Sequence, residues 1–320
     1  NALPLDPRTA PAHSHPMTVT PTILPTTPAR ADAASVPGVV RVVRPDGAAT
    51  RPLILASPHS GRDYRPELCA ATRVPVEQLR RSEDAYVDQL IEGAAGSGAS
   101  LVCALFPRVF IDANRARGEL DPAMFRDRAG LQVDPASRRV ACGLGVIPRI
   151  GADGQALYRG RLQSQEASSR LSTYYAPYHA ALAQLIAETR EAFGFAVVMD
   201  MHSMPEHSAP GVDFVLGDRF GQSCDPRVTM AIEAGLRGQG YVAVRNTPYA
   251  GGYTTEHYGK PATGVHVIQI EINRALYMDE AKLVKNRYFD QLQQDLGLFC
   301  SRLVSIPETG LEANISLAAE

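Results

Sequence analysis

The sequence predicts a three-layer α/β sandwich around a mixed, largely parallel central sheet. Three observations point there. Short apolar runs alternate with stretches of helical period along most of the chain. One run, Phe195-Ala196-Val197-Val198-Met199, is apolar at every position, as a strand covered on both faces should be. The composition, 45% apolar and 21% charged over 320 residues, is that of a globular chain with a substantial core.

The elements follow in order. Leu53-Ile54-Leu55-Ala56 reads as a strand, and Ser57-Pro58-His59-Ser60-Gly61 as the turn that ends it. Ser82 is placed to cap a helix whose Val87, Leu90, Ile91 and Ala94 share one face. Residues 101–106 and 109–112 read as strands. A long helix is expected over 164–192, kinked or broken at Pro177. The run at 195–199 then ends in Asp200-Met201-His202-Ser203. A strand at 212–216, a helix at 226–238, a strand at 265–272 and a closing helix at 279–303 complete the pattern. In such folds ligands collect at the carboxyl ends of the strands.

Residues 1–40 hold 8 of the 24 prolines and four charged side chains, Asp6, Arg8, Arg30 and Asp32, and read as an extended or disordered arm. Residues 41–320 read as one domain. With 32 basic and 34 acidic residues the net charge is −2, which argues against a dedicated nucleic-acid binder. Arginine outnumbers lysine 29 to three, a bias suited to carboxylate recognition as well as to genomic drift. No apolar run reaches membrane-spanning length. Five scattered cysteines with no CxxC point to a reducing, cytoplasmic setting. The first 16 residues lack the parts of a signal peptide, and Met17 reads as a natural start. Oligomeric state is not legible.

Polar groups at the ends of apolar runs carry the candidate chemistry. His59, His202 with Asp200, and Glu271 all stand there, and Asp84 is expected in the first turn of a helix. Histidines and carboxylates gathered at one sheet edge suit a divalent cation with one open position, provided a further carboxylate serves as proton shuttle. Each residue has a plainer reading. A lone histidine after a strand is more often hydrogen-bonded structure, Asp84 suits the helix dipole, and Asp200 serves equally as a turn residue or as a group orienting a histidine. Glu271, between Ile270 and Ile272, points away from both, and a carboxylate in so apolar a strand needs a partner. Asn114-Arg115 reads as a solvated pair or as a ligand clamp. The stretch from Tyr249 to Gly259 matches neither GxxxxGK[ST] nor GxGxxG and reads as a mobile flap or an ordinary loop. No GxSxG elbow is present, which disfavours a serine hydrolase.

Taken together, SPHSGRDYRPEL (57–68), EDAYVDQL (83–90), FPRVFIDANR (106–115), MDMHSMP (199–205) and NTPYAGGYTTEHYGKP with QIEINRALYMDE (246–280) resemble the N-formylglutamate amidohydrolase family. The resemblance implies a carboxypeptidase-like fold, one Zn²⁺ (other divalent ions being possible), and hydrolysis of an N-formyl or similar N-acyl amide on an acidic amino acid. The expected reaction takes N-formyl-L-glutamate and water to formate and L-glutamate, a step of histidine degradation. It also implies His59 and His202 as metal ligands, with Asp84 as third ligand and Glu83 as runner-up. Related enzymes carry an HxxE pair, but the residue three beyond His59 is Arg62. Glu271 is implied as general base and acid, Arg108 as oxyanion support, and Asn114 and Arg115 as carboxylate binders, while Tyr253 and His257 are expected as substrate contacts because the flap reading of 249–259 carries them over the site. The partner expected is thus a small N-acyl amino acid. Two rival readings stand beside this one: a deacylase of the desuccinylase or aspartoacylase type, and a carboxylate-binding protein that kept the fold without turnover.

Overall fold

A computed structural model describes residues 34–45, 51–134, 137–303 and Leu311. Its frame is one seven-stranded sheet: β1 (Val40–Val43), β2 (Leu53–Ser57), β3 (Ser100–Ala104), β4 (Ala196–Met204), β5 (Phe214–Gly217), β6 (Ala243–Arg245) and β7 (Val265–Asn273). The strands lie in the order β1-β3-β2-β4-β7-β5-β6. The inner four run parallel, while β1 is antiparallel to β3 and β5 to β7. The chain leaves β2 toward one edge and later builds outward from β4 toward the other. The β2/β4 boundary is therefore a topological switch point, where an α/β sheet opens a crevice at its carboxyl edge.

Strand alternation feeds two cores. Ile54, Ala56, Val102, Val198 and Val267 face the helices Ser164–Arg170 and Ala176–Phe193. Leu55, Leu101, Met199, Ile268 and Ile270 face the helices Pro226–Gly238 and Phe289–Arg302. Three layers result, each sheet face covered by a helical stripe. Among the described residues no helix is long and apolar enough to cross a membrane. All five cysteines are free thiols.

Several elements depart from expectation. Residues 109–112 are not a strand but a turn, because Phe110 and Ile111 bond back to the Pro107 carbonyl. Ser82 ends a short 3₁₀ turn, Arg80–Ser82, and its Oγ accepts from Ala152 N; the helix proper is Val87–Leu90, so Asp84 precedes it. The α-helical run over 164–192 is interrupted beside Pro177. A π-helical turn, Leu171–Tyr175, opens just before it, so the proline falls in the first turn of the next α-helical segment, where its missing N–H costs nothing. The closing helix begins only at Phe289, since Met278–Asp279 and Val284–Lys285 pair as a two-stranded ribbon. Strands β1 and β6 had no sequence forecast. Residues 1–33 of the expected arm lie outside the described residues, while Val39, inside that span, is buried against the core.

Gly61 shows how tightly the β2 turn is seated. A Cβ there would strike the Phe106 carbonyl oxygen, a backbone atom that cannot swing aside. Gly61→Ala is expected to cost about 1–3 kcal/mol of stability in denaturant unfolding. A loss within about 0.5 kcal/mol, the range of ordinary surface substitutions, would show that the turn adapts.

Candidate active site

The carboxyl ends of β2, β4 and β7 bring the polar groups together. His59 lies just past β2. His202 and Glu271 are register partners on the parallel pair β4 and β7, so both point to the same face, with Asp200 and Gln269 one step behind. Asp84 arrives from the loop after Ser82, tied to the turn by its own N–H, which donates to the His59 carbonyl at 3.1 Å.

Donor atoms of His59, Asp84 and His202 all lie within 4.8 Å of one another. Nδ1 of His59 stands 3.2 Å, and Nδ1 of His202 2.9 Å, from Asp84 Oδ2. The far side of each ring is held by a carboxylate. His59 Nε2 donates to Asp112 Oδ1 at 2.7 Å, and His202 Nε2 lies 2.9 Å from Asp200 Oδ2. A carboxylate behind an imidazole fixes its tautomer and turns the other ring nitrogen into a better donor to a metal. Two nitrogens and one oxygen, buried and convergent, fit a small divalent cation of the zinc type.

Charge governs the surroundings. Burial alone would push the Asp84 carboxyl up, yet His202 and His59 hold it well below the usual range. Asp112, also buried, is held low by Arg115, His59 and Arg108. Burial opposes charge on His202, but Asp200, Asp84 and Glu271 outweigh it and raise its pKa well above the ordinary value. Glu271 is raised, by burial first and by the nearby Asp84 charge, against the pull of His202 and Arg108. Its Oε1 accepts from Gln269 Nε2 at 2.7 Å, and the residue lines the cleft. The cleft, about 390 Å³, is lined by these groups and by Arg81, Arg108, Arg115, Arg139 and Arg274.

The remaining expectations fare unevenly. Arg108 lies in the cleft, donating to Asp112 Oδ2 at 2.9 Å and standing 3.8 Å from Asp84. Glu83, the runner-up ligand, faces away: it accepts from Tyr64 and Arg80 and is absent from the cluster. Arg62 pairs with Asp88 at 3.0 Å on the rim. Arg115 lines the cleft but already donates to the carbonyls of Asn114 and Leu144, with Nη2 3.8 Å from Asp112; burial lowers its pKa. The Asn114 amide is engaged on both of its ends. Its Oδ1 accepts from Thr254 N and Oγ1, and its Nδ2 faces Gln269 Oε1 and His202 Nε2. Asn114 thereby braces the site from within the cleft wall.

The glycine segment is no flap. Gly252 lies flat against the Asn114 amide, where any Cβ would collide, and Tyr253–Tyr258 form a helix with Thr254 and Thr255 fully buried. Tyr258 donates to His179 Nδ1 at 2.8 Å, and His179 Nε2 donates to the Ala113 carbonyl at 3.0 Å. Burial pulls the His179 pKa down to about 4, so the ring is a neutral clamp. Tyr253 and His257 stack on each other at 4.9 Å and do not line the cleft; Tyr249, Gly251 and Gly252 do.

Sequence reasoning missed Asp112, Gln269 and Arg274. Arg274 donates to the Glu83 carbonyl at 2.7 Å and to Ser203 Oγ at 3.0 Å, 3.4 Å from Asp84. Period-2 spacing before Glu271 was the available signal for Gln269, and a carboxylate closing the apolar 109–111 run was that for Asp112.

Comparison with known proteins gives the chain its family. A profile of the N-formylglutamate amidohydrolase family matches residues 51–278. The N-formylglutamate deformylase of Pseudomonas aeruginosa is 32% identical over 240 residues, covering 72% of this chain and 83% of that protein. The enzyme of the same name from Pseudomonas putida is 30% identical over 242 residues, with the same coverage. The crystal structure of N-formylglutamate amidohydrolase from Ralstonia eutropha superposes with a TM-score of 0.78 at 36% identity, covering 83% of this chain and 97% of that one. The matched span runs from the start of β2 past the end of β7 and so takes in every residue of the cluster, and on that footing the chain belongs to the N-formylglutamate amidohydrolase family.

Proposed function

We propose that this protein hydrolyses the formyl amide of an N-formyl amino acid, N-formyl-L-glutamate first, and that it uses one divalent cation, preferably Zn²⁺, held by His59 Nδ1, His202 Nδ1 and Asp84. The observation that carries the reading is the convergence of those three donors beside Glu271, in register with His202 on the neighbouring strand. The names of the relatives supply the substrate. Free thiols throughout suit the cytoplasmic setting that belongs to this reading.

When bound, such an ion polarises the substrate carbonyl and acidifies water. The chain's own groups do the rest. Glu271, its pKa raised by burial, is poised to take a proton from the attacking water at Oε2 and later to hand it to the leaving amine nitrogen. Gln269 holds the other carboxylate oxygen still. Arg108, at the cleft edge of the cluster, faces the developing negative charge on the formyl oxygen. Arg115 offers Nη2 to the α-carboxylate. The C–N bond breaks, giving formate and the free amino acid.

Purified protein is expected to carry about one divalent ion per chain and to release formate from N-formyl-L-glutamate, with chelation abolishing turnover and Zn²⁺ restoring it. Absence of both bound metal and formate release would end this reading. Glu271→Gln should keep the metal yet lower kcat by roughly 10²–10⁴; near-normal turnover would remove Glu271 from proton transfer. Asp112→Asn should weaken metal affinity about 10- to 100-fold, measured by competition with a chelating dye, and unchanged affinity would assign Asp112 a purely structural part.

A further inference from the structure

The cleft holds more positive charge than its own carboxylates engage. Five arginines line it against Asp84, Asp112 and Glu271, with no lysine. Arg108 and Arg274 lie against Asp84 and Asp112, and Arg115 is spent mainly on carbonyls. The other two are differently placed. Arg81 is exposed at the mouth and makes no hydrogen bond or ion pair among the described residues. Arg139 has one distant partner, Glu119 at 3.8 Å, whose oxygens already accept from Ala116 N and Ser137 Oγ.

One wall joins them. The chain from Arg139 to Ala152 passes beside Arg115, where Leu144 O accepts from Arg115 Nε at 2.8 Å, and ends docked on Ser82, next to Arg81, through Ala152 N at 3.0 Å. Between the two cations it presents Leu144, Pro148 and Ile150 to the cleft. Methylenes fit such a surface, and a carboxylate fits its cationic ends.

We propose that an arginine ending this wall, Arg81 or Arg139, reads the side-chain carboxylate of the substrate, so that the enzyme selects N-formyl amino acids carrying a second negative charge over neutral ones of the same shape. The proposal rests on the deformylase reading above and adds the origin of its selectivity.

The test compares kcat/KM for N-formyl-L-glutamate and N-formyl-L-glutamine, near-isosteres differing by one charge, in the wild type and in the double variant Arg81→Gln, Arg139→Gln. The wild type should favour the glutamate substrate. The double variant should lose about 10- to 100-fold of that preference, the span of one or two charge-assisted hydrogen bonds, through a fall confined to the glutamate substrate. The glutamine substrate serves as the internal measure of folding. A wild type indifferent to the charge, a variant that keeps the preference, or a variant that loses both substrates equally each overturns the proposal while leaving the deformylase reading in place. A wild type that releases formate from neither substrate overturns both.

Discussion

Ionic groups taken out of water at one sheet edge set the terms for this molecule. Asp84, Asp112, Asp200 and Glu271 are all buried, as are the two imidazoles between them. Burying an isolated carboxylate is prohibitively costly, so such groups persist only in mutual compensation. Each aspartate has its counter-group: histidines for Asp84, Asp112 and Asp200, Arg108 for Asp112, and Arg274 near Asp84, while Glu271 accepts from the Gln269 amide and has its pKa raised by burial. The set stands or falls as one network, because removing any member strands another in a poorly solvating interior.

Around it lies a brace that meets the cluster through Asn114. His179, from the long helix, links the Ala113 carbonyl to Tyr258, and Thr254, from the helix Tyr253–Tyr258, holds Asn114, which lies against His202. The bond from Tyr175 OH to the Arg115 carbonyl comes from the π-helical turn. A helix on one face of the sheet thereby fixes a loop at its edge, which gives Arg115 a rigid base.

Legibility in the sequence followed the physics of each element. Strands β2, β4 and β7 were plain because continuous apolar runs have few alternative uses, and the polar residue ending each run pointed to the site. The turn at 109–112 was misread because Val109, Phe110 and Ile111 are buried in a turn, and burial alone mimics a strand. Asp84 came from resemblance, since no periodicity predicts which loop crosses a crevice. Tyr253 and His257 were misplaced because a loop's composition says nothing about which side of its helix faces inward. Asn114 was recognised as present at the site, but its role depended on four partners contributed by distant segments.

The β4/β7 ladder has one further implication. Because His202 and Glu271 are locked at neighbouring rungs, their separation is an architectural constant, indifferent to drift in the surrounding surface. The wall between Arg139 and Ala152 belongs to no sheet, and its exposed positions, Leu144 among them, carry no such lock. Descent with altered appetite is therefore open to this scaffold: the reacting apparatus is inherited intact while the vestibule is rewritten.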